Sequence, residues 1–420
     1  MKTKRVDLLI IGGGPAGLAA ACAAREAGVE NLLILEREDV LGGILRQCIH
    51  NGFGLHTFQQ ELTGPEYAAH YIARVRELNI PYACGAMVIS LSPERRAVYV
   101  SRAEGIVAVE AGAVILAMGC RERPRGALGT PGWRCAGIFT AGTAQKLVNL
   151  EGRMPGKRVV ILGSGDIGLI MARRMTFSGA EVLACVEIMP YSSGLKRNIV
   201  QCLDDYGIPL LYNHTVVDIH GRERLTGVTI AEVDAAKNPI PGTERELACD
   251  TLLLSVGLIP ENELSAMAGV ALSPATNGPV VDETLATSVP GVFSCGNVLH
   301  VHDLVDFVSA EAARAGAMAA RFLRGEGPDG ARMPVSAGNG VSALVPETLS
   351  ERPQMDVTFT FRPRAVYRNA RITVTRGREQ LAAKRARILA PGEMAEITVK
   401  QEAFAQGEGA LTVAIEEVGV

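Results

Sequence analysis

Two glycine-rich turns and two acids stand at spacings that suit dinucleotide phosphates. Gly12-Gly13-Gly14-Pro15-Ala16-Gly17 fits G-x-G-x-x-G, and so does Gly163-Ser164-Gly165-Asp166-Ile167-Gly168. In such a turn the first glycine makes the bend. The second lets backbone approach a pyrophosphate, and the third packs helix against strand. The helix that follows offers free N–H groups and the positive end of its dipole. Glu36 lies nineteen residues after Gly17, and Glu187 nineteen after Gly168. A carboxylate there can accept ribose hydroxyls. At the second turn it favours NADH, because it repels a 2′-phosphate and Ile188 and Met189 supply no arginine to pair with one.

The other residues with chemical capacity are sparser. The nine cysteines are Cys22, Cys48, Cys84, Cys120, Cys135, Cys185, Cys202, Cys249 and Cys295, with no C-x-x-C or similar pair. That spacing argues against a zinc knuckle, a ferredoxin-type cluster and a local redox disulfide. Mostly reduced, buried thiols are the expectation. Cys48, His50 and His56 lie in one short stretch. Cys48 and His50 are the candidate catalytic pair, a thiol nucleophile and an acid–base imidazole. The plainer reading is a packed thiol and hydrogen-bonding rings. His300-Val301-His302-Asp303 could in principle ligate a metal, but a hydrogen-bonding role is expected and no metal is assigned.

Positioning these groups requires strands and helices in βαβ order. Val6–Ile11 is a run of β-formers, 15–28 is Ala-rich and helical, and Asn31–Glu36 reads as a second buried strand. The order recurs with a strand at 158–162, a helix at 169–178 and a strand at 181–187. Further strands are expected at 98–109, 110–119, 251–257 and 291–296, with an Ala-rich helix at 306–324. Gly325 to Gly340 is the best linker candidate, with five glycines and two prolines. Beyond it, 356–362, 370–375, 395–400 and 409–415 alternate with period two, which predicts a β-rich module of about 80 residues.

Bulk properties limit the function classes. At 420 residues, with 48% hydrophobic and 21% charged residues, the chain can bury large cores, so disorder and a disulfide mini-scaffold are excluded. With 42 basic against 45 acidic residues and no basic tract, nothing suggests nucleic-acid binding. The first ten residues are basic then apolar, but Gly12 ends the run too early for a signal peptide, and no apolar run spans a membrane. A cytoplasmic protein is expected.

The ordered motifs resemble the pyridine nucleotide-disulfide reductase superfamily over about residues 5–325. Gly12, Gly14, Pro15, Ala16, Gly17, Glu36 and Arg37 match its N-terminal FAD fingerprint. Leu41-Gly42-Gly43 matches the double glycine after the acid, Ala117-Met118-Gly119 the A-T-G strand end, and Gly257-Leu258-Ile259-Pro260 the G-x-x-P return. Gly296-Asn297 stands where the family has G-D, whose Asp binds the FAD ribityl and pyrophosphate. Asn can still hydrogen-bond there but brings no charge.

The resemblance implies an α/β fold with two Rossmann-like three-layer domains, the NAD domain inserted in the FAD domain, plus the β-rich C-terminal module. The implied boundaries are 1–122 and 250–325 for FAD, 123–249 for NAD(H), 326–340 for a linker and 341–420 for the module. FAD would be held by the residues just named together with Asn51, Ala117, Gly119, Gly296 and Asn297. NAD(H) would be held by Gly163, Gly165, Asp166, Ile167, Gly168, Glu187 and Gly257. The 306–324 helix would aim its N-terminus at the flavin.

The redox disulfide of the glutathione-reductase-like and thioredoxin-reductase-like members has no counterpart. Leu41–Gly54 is similar to the flavin-contacting stretch of thioredoxin reductases, with Asn51 near the ring. Together with His300–Ser309 and the β-rich tail, it also resembles a bacterial branch of NAD(FAD)-dependent dehydrogenase subunits. Those accompany an anaerobic glycerol-3-phosphate-dehydrogenase-like flavoprotein and a small Cys-rich, iron–sulfur-type protein. Related flavin subunits occur in opine oxidase, sarcosine oxidase and hydrogen cyanide synthase complexes. What this implies is a complex subunit moving electrons between NAD(H) and a partner centre, in a homo- or hetero-oligomer. Two alternatives stay open at this point. One is a stand-alone NADH oxidase or peroxidase using flavin and Cys48. The other is a flavin-bound scaffold or sensor.

Overall fold

Residues 2–327, 332–405 and 408–417 are described by a computed structural model of the chain. It separates into two units, Met1–Cys120 with Pro260–Val420, and Arg121–Ile259.

In the first unit the apolar run near the N-terminus becomes the middle of a sheet. Strand Lys2–Ile11 lies between Leu32–Leu35 and Gly105–Leu116, parallel to both, with Leu9 opposite Leu33 on one side and Val114 on the other. Strands Tyr82–Ala83, Arg96–Ser101 and Ala86–Leu91 extend the sheet, and Val292–Ser294 pairs with the end of 105–116. Alternation along the central strand fills two cores. Leu8 and Ile10 pack under helices Pro15–Glu26 and Val305–Leu323. Leu9 and Ile11 pack with Ala97, Tyr99 and Val107 on the opposite face. A sheet covered on both faces needs strands apolar throughout, which is why Leu8–Ile11 carries no polar residue. The two helices cross closely because a Cβ on Gly316 would sit 2.2 Å from the Ala20 carbonyl oxygen.

The second unit has a parallel sheet in the order Ile138–Thr140, Thr251–Leu254, Arg158–Leu162, Glu181–Glu187, Leu210–Tyr212. Helices Ala141–Asn149, Asp166–Phe177 and Lys196–Cys202 accompany it, along with a three-stranded antiparallel sheet from His214–His220, Gly227–Glu232 and Arg245–Leu247. The boundary expected at 249/250 is therefore displaced. Thr251–Leu254 is fully buried between two strands of this unit, and the chain returns at 258–260.

The C-terminal module is β-rich, as the period-two pattern predicts. One sheet runs Thr348–Ser350, Arg332–Ala337, Leu411–Glu417, Tyr367–Arg376, Glu379–Leu389; the other runs Val341–Val345, Val357–Pro363, Ala395–Val399. Phe359 and Phe361 of one sheet share a core with Ile372, Val374, Val413 and Ile415 of the other. The expected linker is corrected in part. Residues 332–337 form a strand, pairing through Val335 with Leu411, because Met333, Val335 and Ala337 alternate among the glycines and prolines. Residues 328–331 of that linker lie outside the described residues.

Candidate functional site

The first turn is built so that backbone approaches backbone. Gly12 has φ +112°, and a Cβ there would lie 2.3 Å from the Ala117 carbonyl oxygen; one on Gly17 would lie 1.8 Å from that of Gly12. A Cβ on Gly43 would come within 2.9 Å of the Gly14 Cα, and Gly42 N–H donates to the Gly13 carbonyl at 2.9 Å. The glycines at 12–14 and 42–43 thus bring backbone against backbone. Pro15 opens helix 15–26, whose N-terminus has no side-chain cap and no acid in its first turn. Ala16 is buried against Gly296, where a Cβ would meet its methyl at 2.8 Å. Uncapped N–H groups above a bare backbone cradle suit a pyrophosphate.

Glu36 lies buried beside this turn. One carboxylate oxygen accepts Gly13 N–H and the other Glu38 N–H, both at 2.7 Å. Arg37 is exposed, and Asn51 is exposed on the short strand 51–53. Ala117 and Gly119 lie at the end of the central strand's neighbour, with Ala117 N–H bonded to the Ile11 carbonyl at 2.9 Å.

The turn at 296 is held from below by a residue that no motif marks. Glu311, on helix 305–323, accepts Gly296 N–H at 2.7 Å with one oxygen. With the other it faces His300 Nε2 at 2.7 Å and His302 Nε2 at 3.3 Å. All three side chains are almost wholly buried. Burial works to raise the Glu311 carboxyl, but the adjoining His302 and His300 outweigh it and hold the group well below the usual carboxylate range. Burial also lowers His300. These donor atoms lie within 4.8 Å of one another, so the trio also has the composition of a metal site. In this structure its bonds go to protein groups. An acid in an Ala-rich helix, nine residues after His302, was the sequence signal for Glu311. Asp306, in the first turn of the same helix, accepts Gly54 N–H at 3.1 Å and Thr57 N–H at 2.8 Å, fixing the loop after Asn51.

Burial pushes the Cys48 thiol up to about 12, and its Sγ lies 3.4 Å from the Ile44 carbonyl oxygen. His50 packs against Phe53 at 5.0 Å between centroids, and His56 stacks on Phe307. A nucleophilic cysteine needs an electropositive neighbour to hold its thiolate, and desolvation does the reverse here.

The second unit repeats the construction. Gly163 has φ +92°, and a Cβ on it would lie 2.1 Å from the Ser255 carbonyl oxygen. Ser255, another residue missed in the sequence, sits under the turn. Its Oγ accepts Gly168 N–H at 3.1 Å and donates to the Gly165 carbonyl at 3.3 Å. Buried Glu187 accepts Ser164 N–H at 2.9 Å and Ser164 Oγ–H at 2.6 Å on one oxygen, and Met189 N–H at 2.8 Å on the other. Asp166 turns sideways, accepting Leu195 N–H at 2.8 Å and the Asn198 amide at 2.6 Å. Ile167 is half-buried, and Gly257 has φ +102° with nothing near its missing Cβ. Both units therefore offer the donors and close backbone that a dinucleotide needs.

Comparison with known proteins agrees with this geometry. The family model described as pyridine nucleotide-disulphide oxidoreductase matches residues 6–319. An opine oxidase subunit of Agrobacterium tumefaciens (strain Ach5) is 30% identical over 313 residues, 69% of this chain and 61% of its own. Hydrogen cyanide synthase subunit HcnB of Pseudomonas protegens is 27% identical over 62% of this chain and 58% of its own. The chain thus spans about three fifths of these relatives. Among solved structures, thioredoxin reductase of T. acidophilum superposes with a TM-score of 0.61 at 25% identity, covering 77% of this chain and 99% of its own. The Lactococcus lactis enzyme gives 0.62 at 18% identity over 76% and 99%, a likeness of fold. The chain belongs to the pyridine nucleotide-disulphide oxidoreductase family of FAD- and NAD(P)H-dependent oxidoreductases.

Proposed function

We propose that this chain is the flavin subunit of a multi-subunit dehydrogenase, passing electrons between NADH and a redox centre on a partner protein. The observation that carries the reading is the state of the cysteines. None of the nine is in a disulfide, none is placed as a pair in the sequence, and Cys48, the one nearest the double glycine, is a half-buried thiol pushed up to about 12. Electrons reaching the first unit then have no disulfide in this chain to leave by. Relatives named as subunits of opine oxidase and hydrogen cyanide synthase support a partnered role. A glycerol-3-phosphate-dehydrogenase-like flavoprotein and a small Cys-rich iron–sulfur protein are the partners proposed. Reduced thiols throughout fit a reducing compartment, and we assign the cytoplasm. No helix among the described residues is long and apolar enough to cross a membrane.

Bound FAD and NAD(H) supply the hydride chemistry itself. The chain's residues bind and orient. Gly12, Gly14, Gly43 and the 15–26 N-terminus hold the FAD pyrophosphate, and Glu36 its adenosine ribose. Gly163, Gly165 and Glu187 do the same for NADH, and Glu187 disfavours a 2′-phosphate.

The test is an anaerobic NADH titration of the purified chain, followed at the visible flavin band. Full bleaching, slow reoxidation in air and rapid reoxidation by the proposed iron–sulfur partner are expected. Rapid reoxidation by oxygen or peroxide alone would replace this reading with a stand-alone oxidase. No bleaching of bound flavin would leave a scaffold or sensor.

A further inference from the structure

The C-terminal module grips the loop beside Asn297 through the Arg362 side chain and one backbone N–H. Arg362, on strand Val357–Pro363, donates from Nη1 to the Gly392 carbonyl at 2.8 Å within its own module. From Nη2 it donates to the Val301 carbonyl at 3.1 Å and to one oxygen of Asp303. The second Asp303 oxygen accepts Met394 N–H at 2.6 Å. Residues 301 and 303 are therefore both fixed by the module. His302 lies between them, and its backbone N–H donates to Asn297 Oδ1 at 3.1 Å.

That last bond settles the Asn297 amide. A backbone N–H can only donate, so the atom facing it is the carbonyl oxygen, and the NH₂ group must point the other way. It does so toward Cys120 Sγ at 3.6 Å, just past Gly119 at the strand end. The side chain consequently turns its acceptor toward His302 and its NH₂ donors toward Cys120, beside the strand end at Gly119.

We propose that Arg362 is a positioning residue for the flavin site: by holding Val301 and Asp303 it keeps Asn297 turned so that this chain offers FAD an amide donor at the turn after Gly296. The family pattern has a carboxylate acceptor at that place. A donor suits a phosphate oxygen or an anionic reduced flavin, whereas a carboxylate suits a ribityl hydroxyl. The inference rests on the reading that FAD occupies the first unit. It gives the β-rich module a task in cofactor binding.

The experiment measures FAD affinity of the deflavinated full-length chain and the flavin midpoint potential of the reconstituted chain. The variants are Arg362→Met, Arg362→Lys, Asn297→Ala and the double variant Arg362→Met/Asn297→Ala. Arg362→Met is expected to weaken FAD binding about tenfold or more and to lower the midpoint potential. Lysine should rescue only in part, because one ammonium cannot span Val301, Asp303 and Gly392 in a planar fork. In the Asn297→Ala background Arg362→Met should cost nothing further. Ser350→Ala is the structural control. It loosens another seam of the module by removing the Ser350 hydroxyl that donates to one Glu283 oxygen, while the N–H bond to the other oxygen at 3.1 Å stays, and it should lower thermal stability while FAD affinity stays unchanged. Equal losses from Arg362→Met with and without Asn297, or an equal loss from Ser350→Ala, would reduce Arg362 to a staple and overturn the proposal. Wild-type chain that takes up no FAD would overturn the FAD reading itself, and this inference with it.

Discussion

The carboxylate of Glu36 accepts the backbone N–H of Gly13 at 2.7 Å, joining the end of one strand to the turn that ends its neighbour. Glu187 and Ser164 repeat the bond at 2.9 Å in the second unit. Each acid also accepts an N–H two residues on, from Glu38 and from Met189. The same acid thus has two tasks. It satisfies buried backbone donors at the turn, and under the proposed function its remaining lone pairs accept ribose hydroxyls.

Glu187→Ala should therefore lose stability and selectivity together. Leaving the Ser164 and Met189 N–H groups without their acceptor costs about 1–3 kcal/mol. The KM for NADH should rise about tenfold, while NADPH, no longer repelled, should gain relative to it. Thermal melts and dye-linked turnover with both nucleotides check this. An unchanged NADH/NADPH ratio would remove Glu187 from the specificity argument.

Gly12→Ala should give a chain that does not retain flavin. Its φ of +112° already disfavours alanine, and the added Cβ would lie 2.3 Å from a backbone oxygen that cannot yield without moving strand 105–116. The penalty exceeds about 2 kcal/mol. Gly28→Ala is the comparison: it shares positive φ but has nothing within 4 Å of the Cβ, so it should cost about 1 kcal/mol and keep its flavin. The ratio of visible to ultraviolet absorbance of purified protein reads both.

Much of this was legible in the residues because the turns are local. G-x-G-x-x-G and an acid nineteen residues on depend on one strand, one bend and one helix, and both copies fold as read. What the sequence hid are residues that act across the chain. Glu311 reaches back fifteen residues to Gly296 from the second turn of helix 305–323, Ser255 slides under a turn 87 residues away, and Arg362 reaches Asp303 from another module. No spacing rule connects such partners. Strand Glu379–Leu389 was missed for a different reason. It is a mostly exposed edge with four basic or acidic side chains, so it shows little apolar alternation, and its place is set by pairing with 367–376. The boundary at 249/250 failed because an apolar run such as Thr251–Leu254 suits either parallel sheet equally.

Cys48 should be slow toward alkylation in the native chain. A thiol pushed up to about 12, against an ordinary value of 9.0, carries roughly a thousandth of the thiolate at pH 8. Iodoacetamide labelling followed by peptide mass mapping should find Cys48 modified far more slowly than in the unfolded chain. Cys48→Ser should leave NADH-driven flavin bleaching intact. Rapid labelling together with loss of peroxide reduction in the serine variant would restore the thiol to the mechanism.

Acidification should weaken the first unit through His300 and Glu311. Burial lowers His300 from 6.5, so as pH falls through that value the unfolded chain takes up a proton that the folded chain refuses. Glu311 is held below its ordinary 4.5, so a second loss begins as pH falls through 4.5. In both windows the unfolded state binds more protons, and stability therefore falls with falling pH. His300→Gln removes the first contribution: the thermal midpoint of the variant should be lower at pH 8, yet decline less than wild type between pH 7.5 and 5.5. A parallel decline in both proteins would place the acid sensitivity elsewhere. Glu311→Gln should be the more damaging change at every pH, because it leaves two buried imidazoles without the carboxylate that accepts from them, a loss of about 3–5 kcal/mol.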